Sequence, residues 1–148
     1  MTEQNIIDTV KEVLNKYPDV KFEEKNDTEL EIFCHDDNGF DILLQTDQRE
    51  NTLHFGSFHW HFDNNNEETT EMLNQLIFGL TGVARLKEFS KGGKAYKWTL
   101  QIQDREGNWF DNGTMGLMNF NFWTKPEIRY LQNDLLPREI LFSSNNTE

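Results

Sequence analysis

Three histidines, His54, His59 and His61, lie close together in the chain, and imidazole nitrogens are common ligands for zinc. In an extended strand His59 and His61 project from the same face, because successive side chains point to opposite faces. The apolar alternation reverses before Gly56, so we expect a bulge at Gly56-Ser57 that brings His54 to the same face. The segment therefore makes zinc the one candidate cofactor, held by these three histidines, although we expect the protein to bind no cofactor.

Zinc takes three or four nitrogen, sulfur or oxygen ligands, and His35 or Asp63 would supply a further one. A second interpretation is that the strand is half exposed, so that the polar histidines face water and Trp60 and the neighbouring phenylalanines face the core. Both interpretations stay open on the sequence.

No arrangement of side chains typical of a catalytic site accompanies the histidines. Cys34 is followed by His35, but neighbours in a strand face opposite ways, and a cysteine in an apolar alternation is typical of a core. Ser57 does not stand in a Gly-x-Ser-x-Gly motif, and no glycine-rich phosphate loop occurs. Acidic pairs occur at many places, so none is singled out as general acid and base. We expect no catalytic residues, and a binding protein rather than an enzyme.

The charge of the chain is strongly negative and unevenly distributed, with Asp+Glu 26 against Lys+Arg 14. Residues 1–71 hold 18 acidic and 5 basic residues, whereas residues 72–148 hold 8 acidic and 9 basic ones. Such a first half opposes binding to nucleic acid and to anionic membranes. It favours a basic protein partner through electrostatic steering. The acidic residues that we expect to contact this partner are Glu29, Glu31, Asp36, Asp37 and Asp41.

Two tryptophans, Trp109 and Trp123, stand near predicted turns or strand ends, where an aromatic side chain need not be buried. Exposed aromatic residues are frequent hot spots of protein interfaces, so we add both to the predicted partner-binding residues. The alternative is that they cover the ends of the sheet.

Apolar periodicity predicts two helices and a series of strands. Apolar residues at spacings of three and four predict helices over about 3–16 and 67–81. Alternation with period two predicts strands before and after the second helix, including 52–62, 83–89, 94–103 and 115–123. Residues 127–132 fit either a strand or a helical turn. The predicted fold class is α+β, with one largely antiparallel sheet of about six to eight strands and the two helices packed on it.

Length and composition are typical of a single globular domain spanning residues 1–148, with a frayed polar tail from about residue 143. No apolar run approaches the ~20 residues of a transmembrane helix. One cysteine and the lack of a recognisable export signal predict a cytoplasmic protein. The sequence does not determine the oligomeric state.

Three functions are consistent with these features. The profile of a small, acidic, aromatic-rich domain resembles that of many protein inhibitors, including bacterial immunity proteins that neutralise basic toxins, and the likeness is one of composition. We therefore expect a stoichiometric inhibitor or immunity-type protein. The alternatives are a zinc-binding domain or hydrolase that uses His54, His59 and His61, and a small-ligand domain with a pocket lined by Trp60 or Trp98.

Overall fold

The computed structural model describes residues 3–141. Along the chain the elements are α1 (Glu3–Leu14), β1 (Lys21–Asn26), β2 (Glu29–Phe33), β3 (Ile42–Gln45), β4 (Glu50–Phe55), β5 (Phe58–Asp63), α2 (Asn66–Thr81), β6 (Ala84–Lys91), β7 (Lys94–Gln103), β8 (Trp109–Gly116) and β9 (Glu127–Gln132). None of the described helices is long and apolar enough to cross a membrane. The predicted frayed tail lies outside the described residues.

Both predicted helices are confirmed. The buried side chains of α1, including Ile7, Val10 and Leu14, recur at three- and four-residue spacings and therefore form one face. Helix α2 begins after Asn65, whose side-chain oxygen accepts a hydrogen bond from the Glu68 amide at 2.9 Å. It ends at Gly82, which adopts the left-handed φ of 83° that glycine tolerates best.

Strands β1 to β5 form an antiparallel meander in the order of the chain. One face of this five-stranded sheet is apolar and buried against the helices. Its largest side chains are Leu30, Ile32, Ile42, Leu44, Leu53 and Phe55. Helix α2 approaches this face closely at Gly79, where any β-carbon would collide with the Phe55 ring. The opposite face carries polar and charged side chains, which explains the two-residue alternation of the sequence.

Strands β6 to β9 form a second antiparallel sheet with the order β8-β7-β6-β9. Residues 127–132 are therefore a strand, paired with β6 from Arg85↔Gln132 to Ser90↔Glu127. Leu86, Trp98 and Leu100 on its inner face join the same hydrophobic core as the helices and the first sheet.

The α+β class and the antiparallel pairing are confirmed, but the prediction of one sheet is wrong. Two sheets of five and four strands are present, and within residues 3–141 the strands number nine rather than six to eight. Alternation reveals which face of a strand is buried, but not which strand it pairs with. The 16-residue helix α2 lies between β5 and β6 in the chain, and β6 pairs with β7 and β9 instead of β5.

Two strand predictions also need correction. The predicted strand 52–62 is a hairpin, because Gly56-Ser57 is a turn between β4 and β5 and not a bulge. The predicted strand 115–123 ends early, since β8 stops at Gly116. The Leu117 amide still donates a hydrogen bond to the Tyr96 carbonyl at 2.7 Å, and after it the chain leaves the sheet.

The segment after β9 connects the two sheets. The side chain of Asn133, which is buried, accepts a hydrogen bond from the Phe40 amide at 3.0 Å and donates one to the Phe40 carbonyl at 2.9 Å. The Gln132 amide donates to the Asn38 carbonyl at 2.7 Å. These bonds fix the loop between β2 and β3 to the four-stranded sheet.

Candidate binding surfaces

The histidine cluster forms, although by a different route from the predicted one. Because β4 and β5 are the two strands of a hairpin, His54 lies directly opposite His59, and Thr52 lies opposite His61. The ring centroids of His54 and His59 are 5.2 Å apart, and those of His59 and His61 are 5.8 Å apart. The three rings therefore share the polar face of the five-stranded sheet.

Two of these histidines are held by hydrogen bonds to other side chains. Nε2 of His54 lies 2.7 Å from Oε1 of Gln45, which restricts that ring. Nδ1 of His61 lies 2.9 Å from the Thr52 hydroxyl oxygen and 3.3 Å from a carboxylate oxygen of Glu50. Burial lowers the pKa of His54, and the neighbouring His59 lowers it further. His54 therefore favours the neutral form at neutral pH.

The cluster does not have the geometry of a metal site. Within residues 3–141 no group of three or more His, Cys, Asp or Glu side chains is arranged to hold a metal ion. His35, one of the two candidates for a further ligand, is an exposed residue of the loop after β2. On this face His61 is exposed, and His54 and His59 are half-buried.

Three of the five predicted acidic contacts lie together in the loop of residues 34–41, which we call the acidic loop. Asp36, Asp37 and Asp41 line an open cleft of about 310 Å³ between this loop and the four-stranded sheet. In the described part of the chain none of the three carboxylates forms an ion pair with a lysine or arginine. The negative charge at the mouth of the cleft is therefore not neutralised locally.

The far wall of the cleft is built by the four-stranded sheet. Glu88 of β6 accepts a hydrogen bond from the Trp98 indole at 2.9 Å and pairs with Arg129 of β9 at 3.1 Å. Both carboxylate oxygens of Glu88 are thus engaged within the protein. Leu86 and Phe40 lie beneath them and are 0% and 3% exposed. The cleft therefore has a mostly polar lining, with the three carboxylates on one side and the Glu88–Arg129 pair on the other.

Cys34 also lines the cleft, but its thiol is a poor nucleophile there. Its amide donates a hydrogen bond to the Asp41 carboxylate at 2.9 Å. Burial and the nearby Asp41 carboxylate raise the pKa of the Cys34 thiol to about 11. The thiol is therefore protonated at neutral pH, and the thiolate needed for nucleophilic attack is scarce.

Glu29 and Glu31, the other two predicted acidic contacts, lie on the polar face of the five-stranded sheet. Glu31 is paired with Lys25 at 2.7 Å, and Glu29 accepts a hydrogen bond from Gln45 at 3.3 Å. Neither residue lines the cleft. The structure therefore divides the predicted acidic surface into two parts.

The two predicted tryptophans are also separated. Trp109 begins β8, where the Arg85 guanidinium lies 3.9 Å from its ring centroid and 4.1 Å from that of Tyr130. Trp123 follows the end of β8 and is 96% exposed. Trp109 pairs with Gln103 at the end of β7, whereas the chain that leads to Trp123 leaves the sheet beside Tyr96, near the start of β7. They do not form one aromatic patch.

The most exposed apolar side chains of the described chain lie in residues 117–123, which we call the apolar segment. Five large ones are exposed there, namely Leu117 (65%), Met118 (82%), Phe120 (72%), Phe122 (75%) and Trp123 (96%). The sequence signal was present as alternating apolar residues and asparagines, but this alternation predicted a paired strand. Exposure follows because the chain leaves β7 beside Tyr96, and a local pattern does not contain that information.

The cavity between the helices is too small for an ordinary ligand. It measures about 100 Å³ and is lined by apolar side chains of α1 and α2, including Val10 and Leu76. Small-molecule sites usually measure about 300–1,000 Å³. Trp60 is half-buried and packs edge-on against Phe55, with ring centroids 5.0 Å apart. Of the two tryptophans predicted for a ligand pocket, only Trp98 lines the cleft beside the acidic loop.

Comparison with known proteins adds no relative. No known protein family, curated protein or solved structure matches this chain. The function has to be inferred from the surfaces described above.

Proposed function

We propose that this chain is a stoichiometric binding protein, of the inhibitor or immunity type, that engages a basic protein partner through the cleft beside the acidic loop. The observation that supports this proposal is the convergence of Asp36, Asp37 and Asp41 at the mouth of one cleft. The three carboxylates come from one short loop, and no lysine or arginine of the described chain pairs with them.

A lysine or arginine side chain of the partner has the right chemistry for this cleft. Its charged head would reach the carboxylates of the rim. Hydrogen bonds between a cationic donor and a carboxylate are stronger than those between neutral groups. The net charge of −12 would attract such a partner over a longer range and raise its association rate.

The position of the rim carboxylates is fixed by hydrogen bonds within the protein. The Asn133 side chain is hydrogen-bonded to the backbone of Phe40, and the Asp41 carboxylate accepts a hydrogen bond from the Cys34 amide. An interface loop that is already ordered loses less conformational entropy on binding. This favours a tight complex over a loose electrostatic encounter.

The experiment compares capture by two variants with equal charge. Asp36→Asn/Asp37→Asn/Asp41→Asn removes the rim charge and keeps the oxygens that accept the Asn38 and Cys34 amides. Its matched control is Glu12→Gln/Asp19→Asn/Asp27→Asn, which removes the same charge from exposed positions away from the cleft. Each protein, and the unmodified chain, is immobilised and exposed to a lysate of its native host at low and high salt.

We expect the unmodified chain and the control to retain a basic protein at low salt, and the rim variant to lose it. A retained partner that is acidic would contradict the proposal. Equal capture by the rim variant and by the unmodified chain would contradict it as well.

The histidine cluster does not provide a second candidate function. His54 and His61 are engaged by Gln45 and Thr52, and the described residues contain no cluster suited to a metal ion.

A further inference from the structure

The apolar segment (residues 117–123) is built to present its apolar side chains to the surroundings. Its polar groups are used to hold its own shape. The Asn121 amide bonds the Asn119 side chain at 2.9 Å, and the Thr124 hydroxyl bonds the Asn121 side chain at 2.9 Å. Lys91 donates to the Asn121 carbonyl at 2.9 Å and thereby ties the segment to the end of β6. The apolar side chains are left facing outward.

The exposed apolar area of the segment is comparable to the largest apolar patch of a typical monomer. Phenylalanine and tryptophan side chains each carry about 150–250 Å², so three of them at 72%, 75% and 96% exposure present on the order of 500 Å². Leu117 and Met118 add to this area. The largest apolar patch on a typical monomer is about 300–600 Å² and is often functional.

The charges around the segment are positive, in contrast to the charge of the whole chain. Residues 89–97 and 115–128, which form this end of the four-stranded sheet, contain four lysines and one acidic residue, Glu127. By register Lys91 pairs with Lys94, and Lys97 pairs with Gly116 immediately before the segment. Lys125 follows Trp123 by two residues. The local surface would therefore repel the basic partner proposed for the cleft.

A second copy of this chain is also a poor partner for the apolar segment. Contact between two apolar segments would bring both sets of lysines together, and each chain carries a net charge of −12. An anionic surface with an apolar interior fits both features. Tryptophan and phenylalanine side chains insert at the boundary between lipid headgroups and acyl chains, and nearby lysines are attracted by anionic headgroups.

We infer that the apolar segment is a peripheral membrane-docking site that inserts its aromatic side chains into an anionic lipid surface. The expectation that the chain avoids membranes rested on the acidic residues of the first half. Most of these lie on α1, the five-stranded sheet and the start of α2 rather than at the lysine-bearing end of the second sheet. Screening over about 8 Å at physiological salt limits the range of their repulsion. The inference is independent of the function proposed for the cleft.

The test uses the full chain with vesicles of phosphatidylcholine, with and without phosphatidylserine. Phe120→Ser/Phe122→Ser/Trp123→Ser removes the aromatic side chains, and Lys94→Gln/Lys125→Gln removes two exposed charges. The control is Ile128→Ser/Tyr130→Ser, which removes apolar side chains that are 48% and 44% exposed on β9, outside the segment. Circular dichroism checks that each variant is folded, and co-sedimentation measures binding.

We expect the unmodified chain to bind the phosphatidylserine vesicles, and its tryptophan emission to shift to shorter wavelength. Trp123→Phe should keep the binding and lose most of this shift. The serine variant should bind at least about tenfold more weakly, because several large apolar side chains no longer insert. The lysine variant should lose about tenfold on anionic vesicles, and the control should behave as the unmodified chain.

Several results would overturn the inference. One is failure of the unmodified chain to sediment with anionic vesicles. Another is binding that the serine variant retains in full. A third is light scattering that shows a dimer for the unmodified chain and a monomer for the serine variant, since the segment would then be an interface between copies. Loss of capture of an acidic protein by the serine variant, without vesicle binding by the unmodified chain, would assign the segment to a protein partner instead.

Discussion

The acidic loop and the apolar segment are both ordered connections between strands, but the loop exposes charged side chains and the segment exposes apolar ones. In the acidic loop Phe40 is 3% exposed and lies beneath the chain, while the carboxylates of Asp36 and Asp37 face outward. In the apolar segment the asparagines bond within the segment, and rings such as Phe122 face outward. An apolar residue in a loop is therefore not necessarily buried. Whether its side chain is buried depends on what the loop packs against.

The largest expected effect is the difference in stability between replacing a buried phenylalanine and replacing an exposed one. Phe55→Ala should lower the free energy of unfolding by about 3–5 kcal/mol, because the ring is fully buried and its removal leaves a cavity beneath α2. Phe122→Ala should change it by less than about 0.5 kcal/mol, since the ring is 75% exposed. Urea denaturation measures both values. A large loss for Phe122→Ala would mean that the apolar segment packs on the protein.

The next effect concerns what holds the acidic loop in place. Asn133→Ala removes both hydrogen bonds to the Phe40 backbone and leaves those buried groups unpaired, so we expect a loss of about 3 kcal/mol in the free energy of unfolding. Asn15→Ala, at an exposed position after α1, serves as the control and should cost less than about 0.5 kcal/mol. Equal, small losses for the two variants in urea denaturation would show that the loop is held by other contacts.

A third effect tests the environment of the cleft at Cys34. A thiol with a pKa of about 11 has about 100-fold less thiolate near pH 7 than one with the ordinary pKa of 9.0. Alkylation by iodoacetamide should therefore be slower than that of a free cysteine, by less than this factor because a thiolate of higher pKa is a stronger nucleophile. Asp41→Asn should increase the rate, because the Asp41 carboxylate is one cause of the raised pKa. A rate like that of free cysteine would contradict the raised pKa of the thiol.

The thiol also gives the direction of a stability change with pH. Since the folded pKa lies above the unfolded one, the folded state keeps its proton longer, and stability falls as pH rises from about 9 to about 11. Cys34→Ser should make this decline shallower in thermal unfolding measured across that range.

The smallest effect is expected at the histidine cluster. Burial lowers the pKa of His54, so the unfolded chain binds more protons just below about pH 6.5, and stability should fall as pH falls through that range. His54→Gln should reduce this slope, whereas His35→Gln at an exposed position should leave it unchanged. Thermal unfolding between about pH 5 and 7 measures the slope. An unchanged slope for His54→Gln would contradict the lowered pKa.

Local signals predicted the elements well, because their causes lie within a few residues. Helix α1 ends at Leu14, and α2 is capped by Asn65 at its start and by Gly82 at its end. Each of these helix ends depends on backbone groups only a few residues away. The alternation of β2 and β3 reflects one buried and one wet face, and the structure confirms it.

Features that depend on long-range contacts were not predicted, because the contacting residues lie far apart in the chain. The hairpin turn at Gly56-Ser57 and the bulge predicted there both reverse the apolar alternation, so the sequence did not separate them. The contact of Asn133 with Phe40 spans 93 positions, and nothing local indicates it. The charge asymmetry placed Asp36 and Asp41 among the predicted contacts, but their meeting at a cleft depends on the second sheet.

The most direct test of the central claim, that the rim carboxylates engage a basic protein, is the association rate constant with the captured partner as a function of ionic strength. We predict a steep fall with added salt for the unmodified chain, and a clearly shallower fall for Asp36→Asn/Asp37→Asn/Asp41→Asn than for its charge-matched control. An association rate that does not change with salt, or identical salt dependence for the two variants, would contradict the account.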